Sequence, residues 1–98
     1  MIKIFQINMD RDKNRNKFMA YDWIKEFDFS IYDEIWSGEI PNKYKTLDGI
    51  FEMFNLEHPK DFKGHSLSVS DIVQITKTEI EEAGYYYCDM FGWKKLEL

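Results

Sequence analysis

Two histidines, one cysteine and a run of alternating serines are the side chains best equipped for chemistry in this chain. His58 and His65 lie seven positions apart around Pro59 and Gly64, with Asp61 between them. Structural zinc sites hold their ligands at short fixed spacings and mostly through thiolates; Cys88 is the sole cysteine and cannot complete such a set. No metal and no cofactor is expected, and His65 reads as an anchor for its loop. Nucleophilic catalysis would need a thiol or hydroxyl beside a base and an orienting acid. Cys88, His65 and Asp71 (or Asp89) supply those types, but Cys88 stands in a Tyr-rich strand, where a thiol is buried and inert. Ser66, Ser68 and Ser70 sit in no GxSxG context. Paired carboxylates exist as Asp33–Glu34 and Glu81–Glu82. Neighbours on a strand face opposite sides, so the first pair makes a poor acid–base dyad. The expectation is a protein without catalytic residues.

Phosphate and nucleic-acid chemistry fare no better. There is no P-loop and no GxGxxG. Tyr85-Tyr86-Tyr87 has the look of a base-stacking strand, but arginine occurs only at positions 11 and 15 and the formal net charge is −5. A nucleic-acid binder carries the opposite sign, so no direct sequence-specific nucleic-acid binding is expected. Packing accounts for most of the tyrosines. Alternation sends Tyr86 to the opposite side from its neighbours, and an exposed aromatic there would anchor a protein contact.

The charge is unevenly distributed. Residues 1–21 carry five basic and two acidic side chains, whereas 22–39 carry six acidic ones against Lys25 alone. Those six, Asp22, Glu26, Asp28, Asp33, Glu34 and Glu39, form with Tyr86 the candidate partner-binding set. The plainer alternative is a solvated acidic face that keeps the protein soluble.

Ninety-eight residues fit one domain spanning 1–98. Aromatics at 17% and apolar residues at 44% allow a real core. The opening MIKIFQINMDRDKNR turns charged by Asp10 and does not read as a signal peptide. No apolar run approaches the ~20 residues of a membrane span. With a single cysteine, a reducing cytoplasm is the expected location.

These side chains must be positioned by short elements. Residues 2–8 read as a strand, 10–16 as a polar loop, and 18–22 as a further strand, with 23–29 open between helix and strand. Ile31 to Trp36 reads as a strand covered on both sides. Thr46 is placed to cap a helix whose stripe is Leu47, Ile50, Phe51 and Phe54, ending near residues 55–57 ahead of Pro59. Ser70 and Asp71 can hold backbone amides at the entry to a buried strand, Ile72–Thr76. Residues 77–84 form a charged turn or frayed helical turn. Tyr85–Asp89 and Trp93–Leu98 form a hairpin through Met90-Phe91-Gly92. The fold class is α+β: a small, antiparallel-dominated sheet of five or six strands with one main helix packed on a face.

The segment HPKDFKGHSLSVSDIV, His58 to Val73, is followed by Tyr86-Tyr87-Cys88-Asp89 and Gly92-Trp93. With the opening KIFQIN and the lead-in FNLEHP, it resembles the YodL-like domain over essentially the whole chain, most strongly over residues 47–94. The resemblance implies a setting among plasmids, conjugative elements and phages of Gram-positive bacteria, where the domain occurs alone or joined to larger DNA-metabolism proteins. It transfers no catalytic motif. In that setting the expected function is anti-defence, foremost an anti-CRISPR inhibitor that binds an RNA-guided nuclease and blocks nucleic-acid access. Its partner is then a CRISPR nuclease or another defence or DNA-processing protein. The alternative is a non-catalytic interaction adaptor in conjugation or in plasmid or phage DNA metabolism.

Overall fold

A computed structural model describes residues 1–76 and 82–98. Its centre is strand β1, Ile2–Ile7, whose two alternating sets of side chains are both large enough to be covered. β1 pairs antiparallel with β2 (Tyr32–Gly38) on one side and β3 (Ile72–Ile75) on the other. β4 (Gly84–Cys88) and β5 (Trp93–Leu96) continue the sheet, giving the order β2-β1-β3-β4-β5 with every neighbouring pair antiparallel. The β1–β2 register shifts between Ile4, opposite Trp36, and Phe5, opposite Glu34. Ile35 is the extra residue of this bulge and packs half-buried on the helix side.

Helix α1, Leu47–Leu56, covers that side. Thr46 caps it as expected, its Oγ1 accepting the Gly49 N–H at 2.8 Å, and Asp48 lies in the first turn at the positive end of the helix dipole. Ile50, Met53 and Phe54 are buried against Ile2, Ile4, Val73, Ile75 and Tyr86. The expected stripe is out of phase at one position: Phe51 is partly exposed and Met53 points inward instead. With 3.6 residues per turn, Ile50, Met53 and Phe54 share a face that Phe51 flanks. Phe54 also meets Trp36 and Phe62 edge-on, at 5.1 and 4.9 Å between ring centroids.

The opposite side has no helix. It is roofed by the chain between β1 and β2, which inserts Tyr21, Ile24, Phe27 and Phe29 against Ile7, Tyr32, Ile72, Tyr87 and Leu96. The strand expected at 18–22 does not form. Arg15 and Phe18 hold positive φ angles of 55° and 69°, and a 3-10 turn runs over Tyr21–Trp23. Both Asp12 carboxylate oxygens take backbone amides, those of Asn16 and Lys17, which coils the segment before any ladder can start. Two further 3-10 turns, Phe29–Ile31 and Asn42–Tyr44, sit either side of β2.

The hairpin of β4 and β5 closes through Gly92 at φ 85°, a left-handed position that suits glycine. Of the turn expected at 77–84, residues 77–81, and with them Glu81 of the second carboxylate pair, lie outside the described residues. Among the described residues, no helix is long and apolar enough to cross a membrane.

Candidate protein-contact surface and the buried Asp71 centre

Four large apolar side chains stand in solvent around two hollows that share Ala20, Trp23 and Met90. Trp23 is 77% and Phe91 97% exposed, and Phe18 and Met90 are also more than half exposed. Phe18, Trp23 and Met90, with Lys17, Met19 and Ala20, line a groove of about 340 Å³. On the other flank of Trp23, a hollow of about 330 Å³ is lined by Ala20, Asp22, Asp89, Met90 and Phe91. Single exposed apolar residues are ordinary, whereas a cluster of them is the form that a candidate contact surface takes.

The group is built from two distant segments locked together by polar bonds. Asp89 accepts the Tyr21 N–H at 3.1 Å and the Met90 N–H at 2.9 Å through the same oxygen, Oδ1. The Tyr87 hydroxyl donates to the Met19 carbonyl, and the Tyr21 and Tyr87 rings meet edge-on at 5.2 Å. Ser70 Oγ accepts the Phe18 N–H at 3.0 Å. Inward-facing Tyr21 and Ile24 thus fix the turn that presents Trp23.

The six acidic residues of 22–39 do not form one surface. Asp28 caps the second 3-10 turn, accepting from the Ser30 N–H and hydroxyl, which hold its carboxyl below the usual range. Asp33 is tied by Arg11 and by Asn8, and these bonds lower its pKa too. Glu34 pairs with Lys3 at 3.2 Å, and Glu39 with the Met1 ammonium at 3.2 Å. Among the described residues, Asp22 and Glu26 alone of the six make no ion pair or side-chain bond. Both lie beside Trp23.

Tyr86 is not an exposed anchor. It is 7% exposed, on the helix side between Val73 and Lys95, and its hydroxyl donates to the Glu82 carbonyl. Strand alternation allows either side of a sheet to be wet; here both are covered. The exposed apolar cluster that the sequence concealed is Phe18, Trp23, Met90 and Phe91. The signal available for two of them is the apolar pair Met90-Phe91 at the tip of a hairpin, where solvent is the default surrounding.

Beneath Phe18 lies a buried polar centre. Asp71 is fully buried. Its Oδ2 accepts from Ser68 N–H at 2.9 Å and Gln6 Nε2 at 3.1 Å, and Gln6 also donates to the His65 carbonyl at 2.9 Å. Oδ1 has no hydrogen-bond partner and faces His65 Nε2 at 4.0 Å. Burial pushes the Asp71 pKa up to about 7, while the Ser68 and Gln6 bonds and the Lys17 charge pull the other way. His65 Nδ1 lies 2.7 Å from the Ser66 carbonyl and so carries its proton there. Burial also lowers the His65 pKa, with the Lys17 charge acting in the same direction. Gly64 lets this loop close: a Cβ there would collide with Gln6 Oε1 and stand 2.7 Å from Ile35 Cγ2.

This geometry suits holding a proton better than activating a nucleophile. Ser68 Oγ is 3.5 Å from His65 Nδ1, but that nitrogen is a donor to Ser66 and cannot take the hydroxyl proton. The Cys88 thiol is buried and pushed up to about 12, chiefly by desolvation, and its backbone N–H donates to the Asp71 carbonyl at 2.8 Å. His58 Nδ1 lies against the Pro59 carbonyl at 3.1 Å, and its ring meets Phe62 at 5.7 Å.

No curated protein and no solved structure matches the chain. The family model of the YodL-like domain covers residues 1–98, and the chain belongs to that family.

Proposed function

We propose that this domain works by docking on a protein and occupying its surface, as an anti-defence inhibitor whose target is an RNA-guided nuclease. The observation that carries the docking half is the exposed apolar cluster of Phe18, Trp23, Met90 and Phe91 around two hollows that share Trp23 and Met90, on segments tied together by the Asp89 and Tyr87 bonds. Tryptophan and other large rings dominate contact energies when a partner desolvates them, and a preset backbone lowers the entropy cost of docking. The target class rests on the mobile-element setting that the resemblance implies. Asp22 and Glu26 beside Trp23 favour a partner surface with basic groups at its rim, as a nucleic-acid channel has. Imitation of a DNA backbone by the whole 22–39 segment fits less well, because four of its six carboxylates are already engaged within the chain.

The test joins a plasmid-interference assay to co-purification with the nuclease. The expected result is loss of interference and a stable complex. Trp23→Ala and Phe91→Ala should each weaken the complex by about 30-fold, the loss of roughly 2 kcal/mol expected at a central contact. Asp33→Lys/Glu34→Lys should leave inhibition within a few-fold of wild type, since rim charges away from the aromatics act mainly on encounter rates. Intact interference together with capture of a relaxase or helicase would assign the domain to an adaptor role. Multiple-turnover activity lost in Cys88→Ala or His65→Ala would end the docking reading.

A further inference from the structure

Phe18 is the member of the aromatic group that leans on the buried centre. Its ring lies 5.8 Å from the His65 ring and 5.3 Å from the Lys17 ammonium, and its amide is held by Ser70 Oγ. His65 and Lys17 are the two groups beside Phe18 that also face Asp71: His65 through Nε2 at 4.0 Å, Lys17 through its charge. We propose that the Asp71–His65 pair is a proton-operated control of the contact surface, in which the charge on Asp71 sets the placement of the Phe18 ring. The functional meaning of this control rests on the docking reading; the control itself does not.

The geometry supplies the reason. A fully enclosed carboxyl with one oxygen lacking any hydrogen-bond partner is a poor place for a negative charge. With a proton on Oδ1 the acid is neutral and has the His65 Nε2 lone pair in front of it, since Nδ1 already points its proton at Ser66. Once the proton leaves, the nearest means of compensation are His65 and Lys17. Drawing His65 closer than 4.0 Å moves the ring on which Phe18 rests. Drawing Lys17 inward takes its ammonium from the Ile7 carbonyl, where it donates at 3.2 Å, and from the face of Phe18.

The tyrosines and the thiol around Asp71 do not compete for the proton near neutrality. Tyr32 donates its hydroxyl to the Ser70 carbonyl at 2.7 Å, and burial raises the pKa values of Tyr32, Tyr87 and Cys88. Asp12 is spent on the amides of Asn16 and Lys17, and it adds a negative charge on the Lys17 side. The Asp71 proton therefore titrates close to pH 7, within the range that a cell or an assay buffer crosses.

The experiment is a heteronuclear NMR titration of the free protein from about pH 5 to about pH 9. It follows the Asp71 carboxyl carbon, the His65 ring, the Phe18 amide and ring, and the Trp23 indole N–H. One midpoint near 7 is expected for the Asp71 carboxyl, and the Phe18 signals should move with that same midpoint. Asp71→Asn should abolish the movement and hold Phe18 at its low-pH shifts. An Asp71 midpoint below about 5 would overturn the proposal, as would a Phe18 ring that stays still while Asp71 titrates. The wild-type titration decides this even if the variant fails to fold. It needs no partner, so an absent complex or a neutral Trp23→Ala would count against docking alone.

Discussion

Replacing Asp71 by asparagine should make the protein more stable at high pH and leave it unchanged at low pH. The substituted side chain keeps an oxygen for the Ser68 and Gln6 bonds and puts an uncharged amide where Oδ1 lacks a partner. In the wild type, the folded chain keeps a proton on Asp71 up to about pH 7, whereas a free Asp loses it near 3.8. Between those two values the native state binds more protons than the unfolded state, so stability falls as pH rises and levels off above about 7. At about 1.4 kcal/mol per tenfold change in proton affinity, the interval amounts to roughly 4 kcal/mol. The side chain has no exposed area, so solvent screening does not reduce the figure. His65 acts in the opposite sense: its pKa is lowered, so its contribution is present above the ordinary value and lost as pH falls. Its side chain is 38% exposed, which keeps that contribution the smaller one. For a chain of this length about 1 kcal/mol moves the melting temperature by roughly 4–8 °C. The assay is urea unfolding followed by tryptophan fluorescence, repeated in steps across the window for both proteins. Convergence near pH 4 and divergence by several kcal/mol near pH 8 is expected. Parallel curves, or a wild-type stability independent of pH, would refute the reasoning.

A further set of substitutions separates core from surface. Gly64→Ala drives a methyl group into Gln6 and Ile35 and should cost about 1–3 kcal/mol, read as a lower urea midpoint with an unchanged slope. Phe54→Ala, at the junction of Trp36, Phe62 and the helix, should cost about 3–5 kcal/mol, while Trp23→Ala and Phe91→Ala should stay within about 0.5 kcal/mol of wild type in the same unfolding assay. Thr46→Ala removes the cap on the Gly49 amide and should cost about 1 kcal/mol, with Thr46→Ser restoring most of it.

Elements set by local rules were legible in the residues; those set by distant bonds were not. The opening strand, the Thr46-capped helix and the C-terminal hairpin each carry their own signals: alternation, a cap with an apolar stripe, and a glycine turn. The segment 17–29 carries conflicting ones, and its course is settled by Ser70 and Asp89, 52 and 68 positions away from the amides they hold. The acidic set was visible as composition only. Its engagement with Arg11, Lys3 and Met1 arises because β1 lies beside β2 and Arg11 follows β1 closely. Trp23 could not be told from a core residue, because the neighbouring Tyr21 and Ile24 do turn inward.

One side of the sheet is roofed by the same stretch that presents Trp23 and Phe18. Interior and exterior roles interleave there residue by residue, much as in an antibody loop that must both fold and recognise. On the docking reading proposed above, drift at Phe18 and Trp23 would change which partner the surface fits while Tyr21, Ile24, Phe27 and Phe29 keep the roof in place. On that reading, relatives that dock on different partners should diverge at the first group of positions and agree at the second.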